Sequence, residues 1–308
     1  MAVITLDARD FLQPKLVEGL ANTKIETKLN FIDIFDIVPT NATTVSYSQD
    51  LVNAGDDIDS GKMGTPLPMG ELSKLSEIEV SPISRKHGAL EVFGYKIKVS
   101  ERDIDRGEVV DDLNRAVNRA TYGMARKIND DQVAMLKTAP AVNDITEPGA
   151  FTAWDADGCT PVSDVLSIEE SMDLDNYESL LTDLFLHKTN YYEALDFLQN
   201  IDINWVLDPK GNPQRQLPAI NGINIHKLKS SELAEAAYLG LCLTPGYQPL
   251  TTYAYSPSGI GKDGTYPLVS VNQYKEQEHP RNVVTEFTAE MFHALKAPNS
   301  VCYRAASI

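Results

Sequence analysis

Residues that could carry chemistry are few in this 308-residue chain, and their spacing suits no reaction. The nearest approach to a phosphate loop is GDDIDSGKMG, residues 55–64. Such a loop needs four residues between its glycines and a Ser or Thr after its lysine, so that backbone N–H groups cradle phosphate and a hydroxyl holds Mg²⁺. Here five residues separate Gly55 from Gly61, Lys62 is followed by Met63, and Asp56, Asp57 and Asp59 would repel the anion. The stretch reads instead as the tip of a loop.

The five histidines, His87, His187, His226, His279 and His293, show no metal-ligand spacing and have no cysteine pair beside them. Cys159, Cys242 and Cys302 are scattered without a C-x-x-C, so they read as reduced, buried small hydrophobes. There is no G-x-S-x-G, H-E-x-x-H or G-x-G-x-x-G. The expectation is therefore no enzyme, no cofactor and no metal.

The elements that would position any site are more informative than the residues. In ALEVFGYKIKVS, Ala89, Phe93, Tyr95, Ile97 and Val99 fall on one face and Lys96 and Lys98 on the other, the alternation of a half-buried strand. Residues 42–51 and 72–80 offer two more extended runs, separated by the Gly- and Pro-rich 55–70 stretch, which cannot build a core. These strands form a projecting arm that needs another surface to lie on.

Directly after them, Leu113, Val117, Ala120, Met124 and Ile128 recur at spacings of three and four, placing them on one stripe of a helix. Arg115 and Arg119 lie off that stripe, where they can meet acidic groups on the subunit's own loops or on a neighbour. Helical signal continues to Lys137 and stops at Pro140, which predicts a rod of roughly 30 residues, about 45 Å long.

Ahead of the strands, residues 1–41 carry a short helix around Asp10 to Leu20 and the apolar FIDIFDIV, which stops at Pro39. They read as an arm packing on another surface. Behind the helix, residues 151–265 alternate helix and strand: a helix from Pro161 to Leu174, a strand over 180–187, a helix from Asn190 to Asn200, and short strands near Trp205, Ile223 and Leu239. Residues 266–308 read as strands returning to the long helix.

Charge narrows the function classes further. With 44 acidic against 27 basic residues, a formal charge of −17, the chain is poorly suited to wrapping nucleic acid through its phosphates. Thirteen acids and one base, Lys188, lie between Asp155 and Asp208. A solvated, solubilising face accounts for much of this block. No apolar run approaches 18 residues and MAVITLDARDF lacks a signal-peptide core, so no membrane association is expected.

The order of these parts resembles the major capsid protein of tailed (Caudoviricetes-type) viruses, the Hong Kong 97-type fold. The resemblance rests on ALEVFGYKIKVSERDI leading into DLNRAVNRATYGMARKINDDQVAML, on TNYYEALDFLQN after a strand, and on NVVTEFTAEMFHALKAPNSVCYRAA. It covers essentially the whole chain and implies an α+β fold. Its parts would be an N-terminal arm (1–41), an extended β loop (42–100), the spine helix of a peripheral domain (101–150), an α/β axial domain (151–265) and C-terminal strands returning to the peripheral domain (266–308).

The function it implies is structural: self-assembly into hexamers and pentamers of an icosahedral shell in the virion, built in the host cytoplasm and enclosing double-stranded DNA without specific binding. Scaffolding, portal and decoration proteins are the partners it admits. Lys62, Met63, Arg115 and Arg119 are the expected inter-subunit residues. Some members of this family cross-link a loop lysine to a neighbour's asparagine; Lys62 with Asn282 or Asn299 would be that pair here, and a solvated lysine is the simpler expectation. The other readings are an encapsulin-like compartment enclosing cargo enzymes and, more remotely, a soluble enzyme or binding module.

Overall fold

The computed structural model describes residues 13–31, 34–49, 84–105, 110–138, 162–166, 169, 181–199, 205–207, 213–215, 219–220, 222–228, 233, 238–241, 249–256, 268–279 and 281–304. The chain divides into two compact units.

The first unit comprises Met1–Ser46, His87–Gln132 and Thr251–Ala294. Its frame is a five-stranded sheet in which β1 (Asp36–Thr40), β11 (Leu250–Tyr255), β13 (Asn282–Leu295) and β12 (Ser270–Lys275) lie in that order, with β4 (Glu91–Ser100) also paired to β13. β13 alternates along NVVTEFTAEMFHAL, so Val283, Thr285, Phe287, Ala289 and Met291 are all buried. β4 runs antiparallel to it from Ser100 opposite Asn282 to Glu91 opposite Met291. Of the residues anticipated on one inward face, Phe93, Ile97 and Val99 pack against the core, while Tyr95 is 49% exposed and Ala89, which ends β3 (Ser84–Ala89) rather than continuing β4, is exposed too.

Among the described residues three helices complete this unit: α1 (Pro14–Glu26), the short α2 (Glu101–Asp105) and the spine α3 (Val110–Lys137), whose last turn belongs to the second unit. At 28 residues α3 is about 42 Å long. Asp111 and Asp112 in its first turn and Lys137 in its last complement the helix dipole. The anticipated stripe of Leu113, Val117, Ala120, Met124 and Ile128 is buried throughout, and Thr121 and Ala125 widen it.

α1 ends six residues later than the sequence pattern suggested; residues 10–12 of the expected helix lie outside the described residues. Pro14 suits a first helical turn, and Ile25 extends the apolar face formed by Val17, Leu20 and Ala21. The surface this segment packs on is the subunit's own core. Asn22 accepts from the Val269 N–H (2.9 Å) and donates to its carbonyl (3.0 Å), and Glu18 accepts from the Val271 N–H (3.2 Å), so α1 side chains satisfy backbone beside β12. Asn129 of α3 accepts from the Asn30 N–H and donates to the Lys28 carbonyl, tying down the chain beyond α1. The following apolar run does not stop at Pro39. Pro39 lies inside β1, which pairs parallel to β11 through Thr40; an edge strand tolerates the missing N–H.

One glycine in this sheet is required by a close approach. A Cβ on Gly94 of β4 would fall on the carbonyl oxygen of Phe287 in β13, backbone that cannot swing aside. Gly94→Ala is expected to cost about 1–3 kcal/mol and to lower the melting temperature of the isolated subunit. An unchanged melt would show that the strands part freely there.

The second unit comprises Tyr47–Lys86, Val133–Leu250 and Leu295–Ile308. Its sheet has the order β14 (Val301–Arg304), β10 (Tyr238–Leu241), β5 (Asp183–His187), β9 (Ile223–Leu228) and β8 (Ala219–Ile220), with β5 and β9 parallel. Leu184, Leu186, Ile223, Ile225 and Cys302 form its core with Ala194 of α4 (Lys188–Gln199). β6 (Trp205–Leu207) and β7 (Pro213–Arg215) form a separate two-stranded ribbon.

β2 (Thr44–Gln49) and β3 (Ser84–Ala89) pair as another two-stranded ribbon, at the two ends of the anticipated loop. The tip with Lys62 and Met63, the expected strand over 72–80 and most of the acidic stretch 155–180 lie outside the described residues. Of the helix expected from Pro161 to Leu174, residues 162–166 and 169 are described and are helical.

Candidate functional site

The surface with the most unused interaction capacity lies where β4 runs beside the start of α3. Arg115 and Arg119 sit one helical turn apart on the face away from the buried stripe, and both are exposed. Arg115 meets Asp112 at 3.7 Å, with both side chains 73% exposed, a pair too loose and too wet to fix either group. Arg119 has no ion pair among the described residues.

Between the two elements is a groove of about 620 Å³. Ile97, Ala116 and Ala120 give it an apolar floor, and Arg115, Arg119 and Asp112 form a charged rim with one more cation than anion. Tyr95 and Lys96 complete the strand side. The small side chains at 116 and 120 leave the space open, and Gly123, one turn further on, seats the tyrosine: a Cβ there would stand 2.5 Å from the Tyr95 hydroxyl. The sequence reading singled out the arginines but missed the groove. Its signal was the run of small residues Ala116, Ala120 and Gly123 at spacings of four and three.

Other charges near the groove are already matched. Lys96 pairs with Glu286 across the β4–β13 ladder, and that hydrogen bond holds its ammonium above the ordinary lysine value. Lys98 binds Glu276 at 2.5 Å, and that bond, with a second from Asn282, holds the Glu276 carboxyl below its usual range. Lys275 pairs with Glu101 at 3.0 Å. On the far flank of α3, Lys28 stands 5.6 Å from the ring centre of Tyr122. Cation capacity therefore remains at the arginines.

The titratable residues elsewhere form structural contacts. His226 Nε2 lies 2.6 Å from the Asp183 carboxylate, and its ring stacks on Phe185 with centroids 4.7 Å apart. Burial pushes the Asp183 carboxyl up, but hydrogen bonds from His226, Thr182 and Asn224 outweigh it and leave the group below its ordinary value. His293 is buried in the first unit, where its Nδ1 meets the Thr252 hydroxyl at 2.9 Å and Gln132 donates to that same hydroxyl at 3.1 Å. Burial, reinforced by the Lys127 charge, lowers its pKa from 6.5 to about 4. The Thr189 N–H points at the His187 ring at 3.4 Å.

Among the described residues no group of three His, Cys, Asp or Glu side chains could hold a metal ion, and no helix is long and apolar enough to cross a membrane. Cys302 is buried and in no disulfide; Cys159 and Cys242 lie outside the described residues. Asn282, one of the two asparagines considered for cross-linking, donates to Glu276 at 3.0 Å.

Comparison with known proteins bears on the whole frame. No curated protein sequence matches the chain. Among solved structures, a virus-like particle from Pyrococcus furiosus superposes with a TM-score of 0.57 at 9% identity, over 94% of this chain and 98% of that one. The capsid of an empty GTA particle gives 0.56 at 13% identity, over 91% and 90%. The SrpI encapsulin of Synechococcus elongatus PCC 7942 gives 0.51 at 10% identity, over 89% and 85%. At such identities the likeness is one of fold, and that fold is the Hong Kong 97 type. The phage capsid protein family matches residues 85–289, from β3 through the spine helix and most strands of the two sheets into β13. On that span, two thirds of its length, this chain belongs to the phage capsid protein family.

Proposed function

We propose that this chain is a major capsid protein that assembles into hexamers and pentamers of an icosahedral shell enclosing double-stranded DNA. The observation that carries this reading is the family match across the strand, spine and long C-terminal strand that frame the first unit. In this reading residues 1–41 are the N-terminal arm and 42–100 the extended loop, with Lys62 and Met63 at its tip reaching a neighbour. Residues 101–150 and 266–308 build the peripheral domain and 151–265 the axial one. Arg115 and Arg119 face an adjoining subunit. Head-to-tail contacts of this kind close into rings when the rotation between copies divides a full turn. The shell is the product, so the chain is not an enzyme. Its charge of −17 leaves enclosed DNA unbound by specific contacts. Scaffolding, portal and decoration proteins are partners of such a shell, located in the virion after assembly in the host cytoplasm.

An encapsulin-like compartment is the second reading, favoured by the whole-chain likeness to an encapsulin. Electron microscopy of purified particles, with the contents assayed for nucleic acid and protein, separates the two. DNA-filled shells support a capsid, protein-filled shells a compartment, and a compact monomer at high concentration overturns both.

The arginines give a sharper test. Arg115→Glu with Arg119→Glu should leave the circular dichroism spectrum and melting temperature of the subunit unchanged, because both side chains are exposed and off the buried stripe. The concentration needed for assembly should rise by roughly tenfold at low salt, and the difference should shrink as salt screens the contact. Unfolding of the isolated double variant would show that the arginines serve the subunit itself.

A further inference from the structure

From the groove beside α3 we infer that β4 is a docking edge, on which an acidic, extended segment of a second copy adds as one more strand. This rests on the shell-forming reading above and names what the arginines meet. Successive residues of a strand point to opposite faces of its sheet, so a cavity touching Tyr95, Lys96 and Ile97 in a row must lie against the strand's edge. Among the described residues β4 pairs only with β13, although it is ten residues long and six of them are exposed. A long bare edge presents a row of N–H and C=O groups that templates another strand. The two lysines that might guard it are turned to the sheet face and held by Glu286 and Glu276.

The groove specifies what the added strand carries. Arg115 and Arg119 stand over one side, and the floor of Ile97, Ala116 and Ala120 accepts an apolar side chain from alternate positions. Apolar residues alternating with carboxylates fit both requirements. A second copy is the fitting source, because each copy carries 17 more acidic than basic residues, and every copy offers the same groove in return. Main-chain hydrogen bonds to β4 would give the contact its strength and the guanidinium pair its register.

Hydrogen exchange on isolated subunits and on assembled particles tests this directly. The β4 amides turned away from β13 should exchange at least roughly tenfold more slowly after assembly, while those already paired to β13 change little. Ala116→Glu, which sets a carboxylate on the half-buried helix flank, should block assembly while preserving the subunit's melt, and Arg119→Lys should assemble nearly as well as wild type. Particles whose outward β4 amides exchange as fast as in the subunit would overturn strand addition and leave the shell reading standing. Amides already protected in the isolated subunit would overturn it too, by showing that the chain covers its own edge. Wild-type protein that never assembles would instead remove the shell reading, and the docking edge with it.

Discussion

Val117→Asp should abolish the folded subunit at neutral pH. Val117 is wholly buried on the spine stripe, in the same core as Leu113, Met124, Phe287 and Met291. A carboxylate placed there must either stay charged without a partner or take up a proton against its ordinary pKa. Either route costs on the order of 4 kcal/mol or more, close to the whole stability of a marginal domain, which is about 5–15 kcal/mol. Val117→Ala, which leaves only a small cavity, should cost about 2 kcal/mol and still fold. Urea denaturation of the two variants makes the comparison. If Val117→Asp unfolds at the same urea concentration as Val117→Ala, the stripe does not face the core.

Acid should weaken the subunit through His293 in a defined window. Its folded pKa, about 4, lies below the ordinary 6.5 of the unfolded chain, so the unfolded state binds the proton first as pH falls. The stabilisation is fully present above pH 6.5 and is lost progressively down to about pH 4. At 1.36 kcal/mol per unit the loss amounts to about 3 kcal/mol. His293→Gln keeps a polar partner for Thr252 but removes the titration, so its stability should fall less steeply between pH 6.5 and 4. Denaturation midpoints measured across that range for both proteins decide the matter, and parallel curves would mean that His293 is not the group responsible.

The spine helix was legible because one buried face repeats over about four turns: Leu113, Val117, Ala120, Met124 and Ile128 are all at the core, as their spacing required. β13 lies within the 266–308 segment that read as strands, though its alternating burial was not drawn out of the sequence. Tyr95 was not legible. It shares the inward parity of Phe93 and Ile97, but the groove left by Ala116 and Ala120 keeps it half in water, and parity says nothing about what stands opposite. Partnerships between distant segments were equally invisible. Nothing in DIVPT announces β11, and nothing in Asn22 announces the Val269 backbone that it meets from 247 residues away. The outward arginines could be marked as available, since helix geometry sets them off the stripe, but the apolar floor beside them needs residues from two elements at once.

Those distant partnerships fix an order of events during synthesis. β1 cannot find β11, nor Asn22 its Val269 backbone, until the ribosome has made more than four fifths of the chain. At about 5–20 residues per second the nascent spine waits roughly 8–30 seconds for the sheet that covers its apolar stripe. The sheet that buries the stripe arrives with Phe287 and Met291 on β13, the same strand that fixes β4 in place. Subunit maturation and acquisition of the docking edge are thus one event, timed by translation of the last strands. A polysome crowded with unfinished copies offers no finished edge for premature pairing, and chains halted before β13 are left as sticky intermediates for chaperones and proteases to clear.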